Sequence, residues 1–425
     1  MKNIKELLCA NSALDGYRVS TTKTETYELF FVHRKLETVR ATDTCTVNVT
    51  VYVEHDGKLG DSSFTVYDSM TEGEITEKIN AAADRARLVS NEPYELTEGN
   101  GEEESYILPS NMQSGEPSEM AHRIADAVFA AEGGAGLSLN ATEIFVYRTT
   151  TRVQNSRGVD KTQVNYSAMI EAIPTFTEGD DSVELYEAYR TTELDPERIT
   201  AEIAEKMQEV AERRRAVKPQ TPMTADVVLR ADEIANLAYN LAMDLNYSTI
   251  YSKGNLHSKG EVLQDGDCDR LNLSMIGRIP GSASSAYFDG DGVTLRDAKL
   301  IADGKVVGYH GSQRFACYLG EEATGELGCI SLEGGTLTRE ELAAKKYIEC
   351  VSLSGLQVDL YNDYIGGEIR LAYLHDGDSI RPLSGITMSA KLSDVLSGMR
   401  LSDTLTVSGS YSGPDKLLAH DITIM

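Results

Sequence analysis

What this 425-residue chain lacks narrows its chemistry before any motif is considered. No stretch approaches the roughly 18 consecutive apolar residues that a membrane-spanning helix needs. The first residues, MKNIKELLCANSALDG, hold one short apolar patch, no apolar h-region and no small-residue cleavage site. They do not read as an export signal, so the cytoplasm is the expected compartment. The six cysteines form no CxxC pair, which favours reduced thiols over a disulfide framework or a zinc knuckle. The seven histidines are never closer than the 22 residues between His33 and His55, and none is followed by glutamate. No helix face can therefore carry two of them, and the HExxH zinc motif is absent. Basic residues are also scarce, 40 against 67 acidic ones, for a net charge of −27. Such a chain repels a phosphate backbone, which argues against nucleic acid as a direct partner. Its densest basic cluster, Arg213, Arg214, Arg215 and Lys218, closes a predicted helix and complements the negative end of the helix dipole.

Nucleophile and phosphate motifs are missing too. GSYSG at 409–413 places Tyr411 where a nucleophile elbow needs serine. DGK at 303–305 has Lys299 where a phosphate loop needs glycine, and GGAG at 133–136 follows a helix rather than a strand. Asp265, Asp267 and Asp269 match the first ligand positions of a calcium loop, but Arg270 and Ile276 occupy its sixth and twelfth positions. Asp289 and Asp291 are spaced alike, with Val293 and Leu300 at the later positions. Both stretches read as turn chemistry. Spacing alone names no reaction.

What is present is hydrophobic content of 41%, enough for packed cores, in a chain long enough for two or three domains. Residues 25–35 are rich in strand formers. Residues 45–53 alternate, with Cys45, Val47, Val49, Val51 and Val53 on one face, as a half-buried antiparallel strand does. Thr71 and Glu74 make a capping box for a helix whose stripe runs Ile75, Ile79, Ala82, Ala86 and Val89. A first α+β unit is thus expected over 1–90, followed by an aperiodic linker or long loop at 91–117. A second α+β unit over 118–222 comprises a helix at 118–131, strands at 143–153 and 165–175, and a helix capped by Asp195 with Pro196 at N1. Ile199, Ile203, Met207 and Val210 form the buried stripe of that helix. From 223 to 425 the texture is β-rich, with one amphipathic helix (Ile234, Leu237, Leu241, Leu245), short strands between Gly and Asp turns, and a shorter helix at 338–347. The expected class is α+β, with an antiparallel-sheet-plus-helix N-terminal half and a barrel-like C-terminal domain.

Residues 286–325, AYFDGDGVTLRDAKLIADGKVVGYHGSQRFACYLGEEATG, carry the longest specific pattern. They resemble the C-terminal signature of the TldD/PmbA family, whose members have been labelled modulators of DNA gyrase. Phe288, Asp289, Gly292, Val293, Leu300, Gly304, Gly308, Tyr309, Thr324 and Gly325 fall on that signature. Residues 353–399 are similar to a second family segment and keep Gly366 and Gly367. Departures include Asp291 and Glu326, where the family carries glutamate and asparagine.

The resemblance implies one of two paired subunits of a cytoplasmic zinc metallopeptidase acting on unfolded or small peptides. Its catalytic type bears an HExxxH helix and a distal cysteine. Here the corresponding helix, ADEIANLAYNLAMDLN at 231–246, has no histidine, and no cysteine follows Cys350. The expectation is a non-catalytic TldE/PmbA-like subunit with no cofactor of its own, zinc belonging to a TldD-like partner. The partner is that subunit or a second copy of this chain, with peptide reached through the complex and neither nucleic acid nor membrane bound directly. Asp289, Asp291, Gly292, Thr324, Gly325, Gly366 and Gly367 are the candidate interface or peptide-cavity positions. A self-associating scaffold of the same fold is the alternative, and binding to gyrase protein rather than to DNA stays open.

Overall fold

The computed structural model describes residues 4–425. The N-terminal half is built on one eight-stranded sheet in the order Lys58–Val66, Lys35–His55, Gly16–Val32, Leu137–Asn155, Asp160–Glu178, Glu104–Ile107, with Asp181–Glu184 and Glu187–Thr191 also pairing to Asp160–Glu178. Four of these strands are antiparallel over 17 to 21 residues, so the sheet is roughly 60 Å long at about 3.3 Å per residue. Strands from either side of the 91–117 segment hydrogen-bond to each other, from Arg18↔Asn155 to Val32↔Ala141. The units expected at 1–90 and 118–222 therefore share one sheet.

Alternation along the strands assigns its two faces. Val19 and Val49 lie opposite one another and pack on Ile75 and Ile79 of helix Glu72–Ala86, which begins at the Thr71–Glu74 capping box. Further along the same face, Leu29 and Ile144 lie under helices Pro117–Ala130 and Pro196–Arg215. The other face carries Arg18, Val153, Lys161 and Gln163 at one end, where the C-terminal half docks.

The 91–117 segment is an ordered strap. Gly99 and Gly101 donate to the carbonyls of Arg157 and Gly158, and Glu104–Ile107 runs parallel to Asp160–Glu178. Only four residues, Glu104–Ile107, are in strand, too short a run for a periodicity to stand out.

The C-terminal half has two sheets. Strands Tyr347–Leu353, Met223–Arg230, Lys416–Ile424, Ile386–Ala390 and Tyr364–Asp376 pair in that order, and the last pairs back onto the first, closing a barrel. A six-stranded sheet centred on Leu273–Ile276 and Cys329–Leu332 lies beside it. Helix Ala231–Asp244 is packed between the two sheets through Ile234, Leu237, Ala238, Leu241 and Ala242. The helix expected at 338–347 is shorter, Arg339–Ala343, because residues from Tyr347 onward are drawn into the barrel wall. No helix among the described residues is long and apolar enough to cross a membrane.

Candidate functional site

The FDGDGV turn lies at the junction of the two halves. Asp289 is buried and organises it: Oδ1 accepts from the amides of Asp291 and Val293 at 2.9 Å, and Oδ2 from the Glu326 amide at 3.0 Å. Burial pushes the Asp289 carboxyl up, against those hydrogen bonds and the charges of Arg18 and Lys161. Its bond to Glu326 joins the turn to the Thr324–Gly325 segment. There the Thr324 hydroxyl accepts from the Gly311 amide at 2.9 Å, and the Thr324 carbonyl accepts from the Arg296 amide.

Two glycines are dictated by space and by backbone. Gly292 has φ +78°, and a Cβ there would lie 2.6 Å from Val159 of the N-terminal sheet. Gly325 has φ +77°, and its Cβ would lie 2.5 Å from Leu295. Only a residue without Cβ adopts that conformation at such close approach at little cost.

The N-terminal sheet grips this turn from below. The buried Lys161 ammonium donates to the Gly292 carbonyl at 3.0 Å and to the Thr294 hydroxyl at 2.7 Å. Gln163 accepts from the Tyr287 amide, Asn165 donates to the Ala283 carbonyl, and Arg18 forms an ion pair with Asp291. Phe288 packs on Val153 and Val159, and Tyr287 stacks on Tyr106 with ring centroids 4.8 Å apart. Asp289, Asp291, Gly292, Thr324 and Gly325 are thus brought together. Arg18, Lys161 and Gln163 were not picked out in the sequence. Each is an isolated polar residue on a strand, more than 120 positions from its partner, and carries no local signal.

Gly366 and Gly367 lie elsewhere, within strand Tyr364–Asp376 of the barrel. A Cβ at Gly366 would meet the Met388 carbonyl at 2.5 Å, and one at Gly367 the Gly355 carbonyl at 2.6 Å. The neighbouring turn is held by Asp363, which accepts from both the amide and the hydroxyl of Ser393 at 2.7 Å. Among the described residues no hydrogen bond or ion pair links this region to the 289–292 turn.

Helix Ala231–Asp244 has carboxylates at its ends alone. Asp232 accepts from the Ser408 hydroxyl. Glu233 is half-buried, and desolvation raises it to about 7. At the other end Asp244 accepts from the Leu256 and His257 amides at 2.7 and 3.0 Å and from His257 Nδ1 at 2.9 Å. Burial alone would raise Asp244, but these bonds outweigh it and hold the carboxyl below its ordinary range. His310, buried beside the helix, uses Nε2 on the Ala242 carbonyl, while its Nδ1 has no partner. Burial lowers its pKa and keeps the ring neutral. Among the described residues no three His, Cys, Asp or Glu side chains converge as a metal site.

Just before this helix, Arg230 ties the two halves together. It donates to Glu209 of helix Pro196–Arg215 at 2.8 Å and to Glu349 of the barrel at 3.1 Å, and both carboxylates are buried.

Residues 222–425 match the family model described as the PmbA/TldA metallopeptidase C-terminal domain. Three solved structures share the whole fold. TldE from Thermococcus kodakarensis superposes with a TM-score of 0.80 at 16% identity, covering 99% of each chain. A protein from Thermotoga maritima, named as a candidate modulator of a DNA gyrase, gives 0.79 at 15% identity over 100% of each chain. A candidate gyrase modulator from Bacteroides thetaiotaomicron gives 0.82 at 16% identity, over 99% of this chain and 97% of that one. At these identities the likeness speaks for the fold alone. No curated protein matches the sequence.

Proposed function

We propose, from the premise that this chain belongs to the metallopeptidase-related PmbA/TldD family through its residues 222–425, that it is a non-catalytic, TldE/PmbA-like subunit of a zinc peptidase assembly. The observation that carries this reading is the donor set of helix Ala231–Asp244, the helix from which the family resemblance leads one to expect metal ligands. It bears no histidine. Its terminal carboxylates, Asp232 and Asp244, are 12 residues apart in the sequence, about 18 Å along a helix axis, and both are engaged by neighbouring groups. The last cysteine, Cys350, is fully buried against Met388, and burial pushes its thiol far up, away from the thiolate that zinc requires. The residues present do not fit a zinc centre, and no catalytic step is assigned to this chain.

In this reading the chain supports a TldD-like partner that holds the zinc, and unfolded or small peptides are cleaved in the assembly, in the cytoplasm. The net charge of −27 argues against direct DNA contact.

The test is co-expression with a TldD-like subunit, with zinc measured in each purified species and peptide cleavage assayed with and without this chain. Expected are a stable complex containing zinc, none in the isolated chain, and cleavage that depends on the partner. Stoichiometric zinc in the isolated protein would overturn the reading. A stable homo-oligomer that ignores the partner would point to the scaffold alternative.

A further inference from the structure

The basic cluster at the end of helix Pro196–Arg215 does not act as one patch. Arg214 pairs with Glu178 and Asp181 at 3.4 and 3.3 Å, and Arg215 pairs with Glu212. Among the described residues Arg213 has no such carboxylate partner. One of its nitrogens is satisfied by the Glu184 carbonyl at 2.5 Å, and the guanidinium lines a cleft of about 590 Å³ between the N-terminal half and the barrel. Arg370, on barrel strand Tyr364–Asp376, lines the same cleft. Lys218 stands beside it, because the Val217 amide donates to the Pro382 carbonyl and the Ser384 amide to the Val217 carbonyl, laying the chain along the cleft's rim.

Among the described residues, none of Arg213, Lys218 and Arg370 has a carboxylate within ion-pair distance. Burial lowers the Arg213 pKa and the Arg370 charge lowers it further, with the Glu368 carboxylate on the same cleft acting in the opposite direction. In a chain with 27 excess negative charges, two arginines on one cleft without a carboxylate in direct ion-pair contact are poised for an anion from outside. Val183 adds apolar lining and Ser384 a hydroxyl, while the Ile369 side chain is buried in the barrel core. Glu368, whose carboxylate accepts from the Ser354 hydroxyl at 2.9 Å, is the one acid among the lining residues.

We propose that this cleft binds a carboxylate, that of a short peptide's C-terminus, between Arg213 and Arg370. The guanidinium fork matches a planar carboxylate in two-point fashion. Val183 suits an adjacent aliphatic side chain, and Glu368 can accept from a peptide amide and repels a dianionic phosphate more strongly than a singly charged carboxylate. The volume falls in the range of small-ligand clefts and accommodates a few residues. Choosing a peptide as the carrier of the carboxylate rests on the peptidase-assembly reading; the paired arginines do not.

The test is calorimetric titration of the isolated full-length chain with the tripeptide Ala-Leu-Leu, its C-terminal amide and inorganic phosphate. The same titrations are run on Arg370→Gln and Arg213→Gln. The free acid is expected to bind, with a loss of about tenfold or more on amidation and in either variant, and with phosphate weaker than the acid. Melting temperature is the second readout. Removing one of two repelling charges should leave the variants as stable as the parent, while the acid raises the parent's melting point and not theirs. Equal binding of acid and amide, or no binding by a folded parent chain, overturns the proposal. Tighter binding of phosphate than of peptide replaces the carboxylate with a phosphate ligand. Because no partner subunit is present, failure here leaves the assembly reading standing, and failure of the assembly leaves this site standing.

Discussion

Glu233 sits in the first turn of helix Ala231–Asp244, half-buried, with desolvation raising it to about 7 from an ordinary 4.5. A carboxyl raised on folding contributes stability that is fully present below its unfolded value and is lost as pH rises through its folded one. Between pH 5 and pH 8 the parent should therefore lose about 1–3 kcal/mol relative to Glu233→Gln, at 1.36 kcal/mol per pKa unit. Urea unfolding of both proteins across that range checks this, and parallel curves would refute it. Lys161 joins the N-terminal sheet to the 292–294 turn through one side chain. Lys161→Met keeps the apolar stem but strands the Gly292 carbonyl and the Thr294 hydroxyl, a loss of about 1–3 kcal/mol for buried groups left unpaired. Hydrogen exchange of the 287–294 amides should accelerate in this variant while that of the barrel does not. Unchanged exchange would mean that Phe288 and the Arg18–Asp291 pair suffice to seat the turn.

At the scale of elements, helix Pro196–Arg215 shows how a local signal and a long-range role coexist. Its start is local: Asp195 accepts from the Arg198 amide at 3.1 Å, and Pro196 occupies the first turn. Asp195→Ala should cost about 1 kcal/mol in thermal or urea unfolding. Its burial is not local. Ile199, Ile203 and Met207 cover the long sheet, while Glu209 reaches Arg230 at the mouth of the barrel. The helix therefore couples the two halves from the side opposite the FDGDGV dock. The cap and the apolar stripe were legible in the sequence because both act within four residues, whereas the partner of Glu209 is 21 positions away.

For the whole molecule, the sequence by itself determined the α+β class, the alternating strand at 45–53, the capped helices, and the lack of a histidine pair on any helix. Each of these depends on neighbours a few residues apart, and that range is what periodicity and capping report. Tertiary structure decided the rest. It joined strands from both sides of 91–117 into one sheet and closed the barrel through Tyr347–Leu353 and Tyr364–Asp376. It brought Asp289, Asp291, Gly292, Thr324 and Gly325 to one junction and left Gly366 and Gly367 in the barrel wall. It also placed Arg213, but not Arg214 or Arg215, on the cleft that Arg370 lines. The physical reason is common to all of these. Sheet edges and charged groups are satisfied by whichever partner the fold brings near, and one polar residue in a strand carries no mark of a partner more than a hundred positions away.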